Sequence, residues 1–404
     1  MTTPSFYGLA VLLLLLSKFT LSLISRPIPQ RGATTHLKLT VVITVYNEDP
    51  NALRVCLESL LSQTYMPHAV VVVDDASTDP RAYGVAKSYA ESFRYRGVSY
   101  EVMRFVENLG KRHGLAAGFN AHPDADVYLG VDSDTELDPE AIREGMKPFG
   151  SPEVTAVTGL VMALNARRNL LTRLIDLRYV NAFMYERAAY SLLGSVLCCC
   201  GSLAFYRGDV VRANLDDFLN QRFLGAMATF GDDRRLTNYC LKEGRVVLQS
   251  SSKAWTLVPY RFAHYVKQQV RWNKSFFRES LWVVLHGKSS RPTFWLTLIE
   301  VMSWVLFTVI LTTSMIFACI RPHSEHVFIE YGIYVAVFGY ARSIRYLGHK
   351  SSRLSIWEQV GTFALAPLYG LLNITVLLWV RVYALCTLRD NDWGTRGAGV
   401  EVEI

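Results

Sequence analysis

Apolar residues crowd both ends of the chain, and a mixed polar and apolar pattern fills its middle. Residues 6–24 (FYGLAVLLLLLSKFTLSLI) form a nearly unbroken apolar run holding one charge, Lys18. A membrane-spanning helix needs about 20 apolar residues, so the run is long enough. A secretory signal peptide would carry a basic segment ahead of a shorter apolar stretch. Here residues 1–5 bring no basic side chain, and Arg26 and Arg31 follow the run. It therefore reads as a retained anchor, with residues from 26 onward cytoplasmic by the positive-inside rule and the N-terminus outside. Apolar runs return at 294–320 and 327–340, and Arg342, Arg345, His349, Lys350 and Arg353 place the next loop back in the cytoplasm. The last run, 356–388, is too long for one ordinary span and is interrupted by Pro367 and Gly370. It reads as an interfacial helix plus a span, or as a re-entrant hairpin.

Between these runs the periodicity alternates. Leu39–Val45 (LTVVITV) is a continuous β-branched run and predicts a buried strand, followed by a turn and by helical spacing over 53–61. Residues 70–73 predict a second strand, 100–105 a third and 127–131 a fourth. Helical segments are predicted up to about Tyr95 and over 110–120. Strand–helix alternation predicts an α/β domain with a mostly parallel sheet, whose ligands bind beyond the carboxyl ends of the strands. Three of those ends are polar or acidic: Asn47-Glu48, Asp74-Asp75 and Asp132-Ser133-Asp134. No GxGxxG follows the first strand and no GxxxxGK[ST] is present, which excludes a dinucleotide fold and a P-loop. The site is acidic, and acids opposite a phosphorylated substrate imply a bridging divalent cation.

Composition argues against an all-soluble protein. Of 404 residues half are hydrophobic and only 19% are charged, against about 25% in an ordinary soluble domain. The net charge is +7, but no basic block with interleaved aromatics suggests nucleic acid, and positive loops beside anionic lipid account for it. The seven cysteines show no CxxC spacing, and a cytoplasmic face implies reduced thiols. No obligate protein partner is evident.

Each motif has a plain reading beside a chemical one. Asp132 and Asp134, two apart at a strand end, can share one hard cation such as Mg2+ or Mn2+, or can form an acidic turn. Asp74-Asp75 suits either an Asx-turn or contact with a nucleoside. Lys111-Arg112 is a solvated basic pair or neutralises phosphate at a helix start. In Gly231-Asp232-Asp233-Arg234 one acid is a general base, or the pair is the N-cap of a helix over 234–243. Gln268-Gln269-Val270-Arg271-Trp272 offers amides, a guanidinium and an indole for sugar and phosphate. It also suits an amphipathic interfacial helix.

Taken in order, YNED, VVDDAS, NLGKRHG, VDSD, CCCGSLAFYR, GDDRRLTN, QQVRW and WGTR resemble the processive family-2 glycosyltransferases. Within them the chain is most similar to bacterial hyaluronan synthases, from about Leu39 to Arg396. The chitin-oligosaccharide synthases of nodulating bacteria share much of the pattern and are the second reading. A degenerate synthase kept as a membrane scaffold is the third. The resemblance implies a GT-A-like domain plus α-helical transmembrane segments. It also implies a plasma-membrane, multi-pass protein that uses UDP-GlcNAc and UDP-GlcA to extend and export a polysaccharide. It implies Asp132 and Asp134 as metal ligands, and Tyr46, Glu48, Asp74, Asp75, Lys111 and Arg271 at UDP. Asp233, or its neighbour Asp232, is the implied base. Cys199, Gly201, Gln268 and Trp272 lie at the acceptor, and Trp393 and Arg396 in a C-terminal gate beside the nucleotide. The implied divisions are an anchor and linker (1–36), a cytoplasmic transferase domain (37–260), interfacial helices (261–292), a membrane region (293–388) and a C-terminal cytoplasmic segment (389–404). Two departures stand out. Hyaluronan synthases usually show two N-terminal spans against one here, and the family's C-x-G-P has Ser202 in place of proline, which is expected to loosen that loop.

Overall fold

The computed structural model describes residues 6–320, 325–347, 349 and 353–391. Its strands are β1 (Leu39–Val45), β2 (Ala69–Asp74), β3 (Ser99–Arg104), β4 (Val127–Asp132) and β5 (Thr135–Leu137). They continue with β6 (Val154–Ala163), β7 (Ala204–Arg207), β8 (Arg222–Phe223), β9 (Ala226–Met227) and β10 (Arg245–Thr256). Eight build one sheet in the order β3-β2-β1-β4-β7-β6-β10-β5, while β8 and β9 form a small separate ribbon. β1, β2, β3 and β4 run parallel, as does β6 with β10. β7 is antiparallel to both of its neighbours, and β5 to β10. Every residue of β1 and β2 is buried, as a sheet covered on both faces requires.

The four strands read from the sequence are present, β1 with the same bounds and the others within one or two residues. The first helix starts earlier, at Pro50, because Asp49 caps it by accepting the Asn51 N–H at 2.9 Å. The helix at Gly231 differs from expectation. It runs Asp232–Glu243, and its cap is Gly231 itself, held at φ 93°. A Cβ there would sit 2.5 Å from Ser275 Oγ, so glycine is required by both conformation and space. Asp232 and Asp233 therefore occupy the first helical turn instead of capping it.

Among the described residues two helical stretches are long and apolar enough to cross a membrane, Pro292–Ile320 and Ala366–Cys386. The stretch Leu12–Ile24 is shorter and apolar, and it ends the helix Phe6–Ile24. The run at 327–340 lies in the helix Glu325–Ser343. The interruption at Pro367 opens a new helix, Ala366–Leu372, which packs on Glu325–Ser343. Gly370 makes the approach possible, since a Cβ there would fall 2.5 Å from Val335 Cγ1. The long helix Phe262–His286 lies between the sheet domain and these apolar helices.

Candidate active site

The sheet register brings the acidic motifs together. Val45 lies opposite Asp74, and Thr44 opposite Asp132, so residues 46–48, 74–75 and 132–134 leave one edge of the sheet side by side. Asn47 turns the chain there at φ 50°, and its Oδ1 accepts from Thr78 N at 2.8 Å and Thr78 Oγ1 at 2.9 Å. Tyr46 and Glu48 flank it half-buried. Asp74 is buried; its Oδ1 accepts the Ser77 N–H at 2.7 Å, and Arg104 stands 3.9 Å from Oδ2. That is the Asx-turn reading. Asp75 is equally buried and accepts the N–H groups of Leu109 at 2.7 Å and Gly110 at 2.9 Å. It thereby fixes the loop from which Lys111 opens the helix Lys111–Ala121.

Asp132 stands between two donors. Lys111 Nζ pairs with its Oδ1, and Ser202 Oγ donates to its Oδ2 at 2.7 Å. Asp134 Oδ1 accepts from Thr256 Oγ1, at the end of β10, at 3.0 Å. Gly201 leaves room over this pair: a Cβ there would lie 3.6 Å from both Asp132 Oδ1 and Lys111 Nζ. Among the described residues no group of three or more acidic, His or Cys side chains could hold a metal unaided. Two half-buried carboxylates, with the side-chain-free Gly201 rather than a bulkier residue beside Asp132, fit a hard divalent cation that takes its other ligands from water and a diphosphate. The donor set thus fits Mg2+ or Mn2+.

The two acids at the start of Asp232–Glu243 have different surroundings. Asp232 is buried, and its Oδ1 accepts from Arg112 Nε at 2.8 Å. Arg112 also donates to Phe218 O at 2.9 Å and Gln221 Oε1 at 2.7 Å. The network continues through Glu279, which receives Gln221 Nε2 at 2.6 Å and Asn238 Nδ2 at 3.0 Å and lies 3.1 Å from Arg235. Asp233 is only half-buried. Cys198 Sγ lies 3.7 Å from its Oδ2, and the Arg234 N–H donates to its Oδ1 at 2.8 Å. Burial raises the Asp233 carboxyl above its ordinary value, against the charges of Arg234 and Lys111. Burial, aided by the Asp233 charge, likewise pushes the Cys198 thiol up to about 12.

The residues expected at the acceptor are spread over two elements. Gln268, Arg271 and Trp272 sit on the helix Phe262–His286. Gln268 Oε1 is buried without a hydrogen-bond partner among the described residues, an orphan acceptor that a ligand donor would satisfy. Trp272 is partly exposed, with the Tyr179 ring 6.2 Å and the Arg178 guanidinium 5.3 Å from its ring. Cys199 lies in the core with no exposed surface, while Cys198 and Cys200 beside it are half-buried. The loop that the absent proline was expected to loosen is tied down: Cys199 N donates to Thr237 Oγ1 at 2.9 Å, Cys200 N to Thr158 Oγ1 at 3.1 Å, and Ser202 to Asp132. Trp393 and Arg396 lie outside the described residues. Sequence reasoning missed the roles of Arg112, Ser202 and Asn47. Their motifs were visible, but each acts through a partner 30 to 120 positions away.

Comparison with known proteins identifies the chemistry. The model of glycosyl transferase family 2 matches residues 40–215, and that of glycosyl transferase family group 2 matches 129–386. The hyaluronan synthase of Streptococcus pyogenes is 38% identical over 395 residues, covering 98% of this chain and 91% of that protein. The chain belongs to glycosyltransferase family 2. It is an enzyme closely related to bacterial hyaluronan synthases. An N-acetylglucosaminyltransferase of Sinorhizobium fredii is 33% identical over 386 residues, 92% of this chain and 86% of that one. In fold, the transferase matches a Pyrobaculum calidifontis mannosyltransferase solved with GDP-mannose and Mn2+. The TM-score is 0.62 at 18% identity, covering 92% of this chain and 96% of that one. The GT-A-like sheet with appended apolar helices is thereby shared.

Proposed function

We propose that this transferase makes hyaluronan from UDP-GlcNAc and UDP-GlcA by processive, inverting transfer at the cytoplasmic membrane face, and passes the polymer outward through its apolar helices. The catalytic unit is residues 37–260, reached through the anchor and linker at 1–36. Residues 261–292 are the interfacial element, 293–388 the membrane region and 389–404 a C-terminal cytoplasmic segment. The observation that supports the reading is that one cysteine-rich loop touches both acidic motifs: its Ser202 donates to Asp132, which Lys111 also holds, and its Cys198 lies 3.7 Å from Asp233.

In this reading Asp132 and Asp134 hold Mg2+ or Mn2+, which supplies charge neutralisation on the donor diphosphate. Tyr46, Glu48 and the chain around Asp74 and Asp75 line the nucleoside end, and Lys111 and Arg271 meet the diphosphate charge. Asp233 takes the proton of the acceptor hydroxyl, whose oxygen attacks the anomeric carbon from the side opposite UDP. The bond from that carbon to the diphosphate oxygen breaks, and UDP leaves with the electron pair. Gln268, Trp272 and the loop at Gly201 orient the acceptor sugar. Asp232, salt-bridged to Arg112, holds the helix that presents Asp233.

The test is synthesis by purified protein in nanodiscs with Mg2+ or Mn2+, given UDP-GlcNAc alone, UDP-GlcA alone, or both. A hyaluronidase-sensitive product that needs both donors is expected. A chitinase-sensitive product from UDP-GlcNAc alone would move the assignment to a chitin-type synthase, the reading favoured by the Sinorhizobium fredii relative. No product from any donor would favour the scaffold reading.

A further inference from the structure

Asp132 is gripped from both sides by groups that arrive from different parts of the chain. Lys111 takes Oδ1 from the start of the helix Lys111–Ala121, and Ser202 takes Oδ2 at 2.7 Å from the cysteine-rich loop. Ser202 is 4% exposed, and its loop is anchored to other elements through Cys199 N to Thr237 and Cys200 N to Thr158 and closed on itself by Leu203 N to Cys200 O at 3.0 Å. A buried hydroxyl on an anchored loop cannot follow a carboxylate that rotates, so it selects one rotamer of Asp132. A hydroxyl bound to one oxygen of a carboxylate also leaves that group's remaining lone pairs directed at a cation and keeps its orientation fixed before the cation arrives.

We propose that Ser202 is a positioning residue for cation binding: its hydroxyl sets the orientation in which Asp132 meets the divalent cation, and so ties the acceptor-side loop to the donor-side metal site. The inference rests on the assignment of Asp132 and Asp134 as the cation ligands. Hydrogen-bond partners behind a metal ligand are typically worth 10–100-fold in metal affinity.

The experiment is Mn2+ titration of the full-length protein in nanodiscs, read by electron paramagnetic resonance of the free ion, with and without UDP. Ser202→Ala is expected to weaken Mn2+ binding in the presence of UDP by roughly 10–100-fold. Ser202→Thr, which keeps the hydroxyl, is expected to stay within a few-fold of the parent (~10-fold less loss than alanine). Asp132→Ala is the reference. If it abolishes binding while Ser202→Ala binds as the parent does, the positioning role is overturned and the ligand assignment stands. If Asp132→Ala also binds as the parent does, the ligand assignment itself falls, and the inference with it. Should Ser202→Ala fail to fold, Ser202→Cys carries the test, because a thiol fills the same space and donates weakly. Weakened binding supports the role, and parental affinity overturns it.

Discussion

Asp232 is sealed against the Arg112 guanidinium, whereas Asp233, one position on, is half-buried with the Cys198 thiol 3.7 Å away. The same residue type in the same turn therefore sits in two different environments. On the proposed chemistry, Asp233→Asn lowers turnover by about 10²–10⁴-fold, the usual yield of general-base catalysis, and leaves UDP affinity unchanged. Initial rates paired with UDP calorimetry check this, and near-normal synthesis would remove Asp233 from the role. The sign of its pH dependence follows from its raised carboxyl. A base acts when ionised, so activity is lost as pH falls through that raised value. The acid limb of the kcat profile is expected at a higher pH than that of an ordinary Asp, whose value is about 3.9. The linked stability runs the other way: a raised carboxyl stabilises the fold below the unfolded value, and that contribution is lost as pH rises through the folded one. At neutral pH Asp233→Asn is therefore expected to be at least as resistant to thermal unfolding as the parent. Lys111 makes a prediction of opposite signs. It holds Asp132 as a cation would, so Lys111→Met should raise Mn2+ affinity without nucleotide while lowering UDP affinity. A fall in both would show that Lys111 organises the carboxylate and does not compete for it.

At the scale of elements, the first strands of the sheet were legible and the later strands and the buried polar network were not, for a physical reason. β2 and β4 are apolar runs that end in Asp74 and Asp132, and β1 runs into Tyr46-Asn47-Glu48, so the pattern alone reports both the strand and its polar end. β10 carries QSSSK in its middle, where the register with β6 slips between Gln249 and Lys253, and the polar bulge hides a strand that is buried for most of its length. β7, inserted antiparallel between β4 and β6, is four residues long and reorders the sheet without a local signal. The buried network of Arg112, Asp232, Gln221, Glu279, Arg235 and Asn238 was equally hidden, because its members come from separate segments. That network joins the starts of Lys111–Ala121 and Asp232–Glu243 to the helix Phe262–His286. Removing one partner strands a buried charge, which typically costs about 3–5 kcal/mol. Arg112→Ala is thus expected to lower the unfolding midpoint of the sheet domain, as read by denaturant titration. An unchanged midpoint would mean that the network is not carried by this pair. The glycines of Lys111–Ala121 give a sharper check of its seat. A Cβ at Gly118 would lie 2.3 Å from Val42 Cγ1, and one at Gly114 2.9 Å from Thr44 Cγ2. Gly118→Ala must lift the helix that carries Lys111, and overpacking of this kind costs about 1–3 kcal/mol.

Across the whole molecule, the charges inside the apolar ends form pairs that hold the helices together. Lys18, the lone cation of the first run, pairs with Glu300 of Pro292–Ile320, which also accepts from Tyr190. Arg345 donates to Ser22 O and Met184 O, fastening the end of the N-terminal helix to the helical segment that precedes the cysteine-rich loop. At the other end, Lys274 and Arg278 of the QQVRW-bearing helix hold the chain at Leu388 and Asp390. Gln268, Arg271 and Trp272 are thus carried on a helix that is bonded to the end of the apolar helices on one side and to the buried network on the other. On the proposed function, a carboxylated polymer extended at Asp233 would need a route past lipid, because a charge at the bilayer centre is costly. If the helices provide the route, sealed vesicles with the catalytic face outward should accumulate polymer in the lumen, protected from added hyaluronidase until detergent opens them. Polymer found only on the UDP-sugar side, digestible from the start, would separate synthesis from export and leave the apolar helices as anchors. The charge pair offers an internal control. Glu300→Gln removes the partner of Lys18 without touching the sheet edge, so a variant that still couples sugars but leaves the product outside would assign the export step to the packing of the helices.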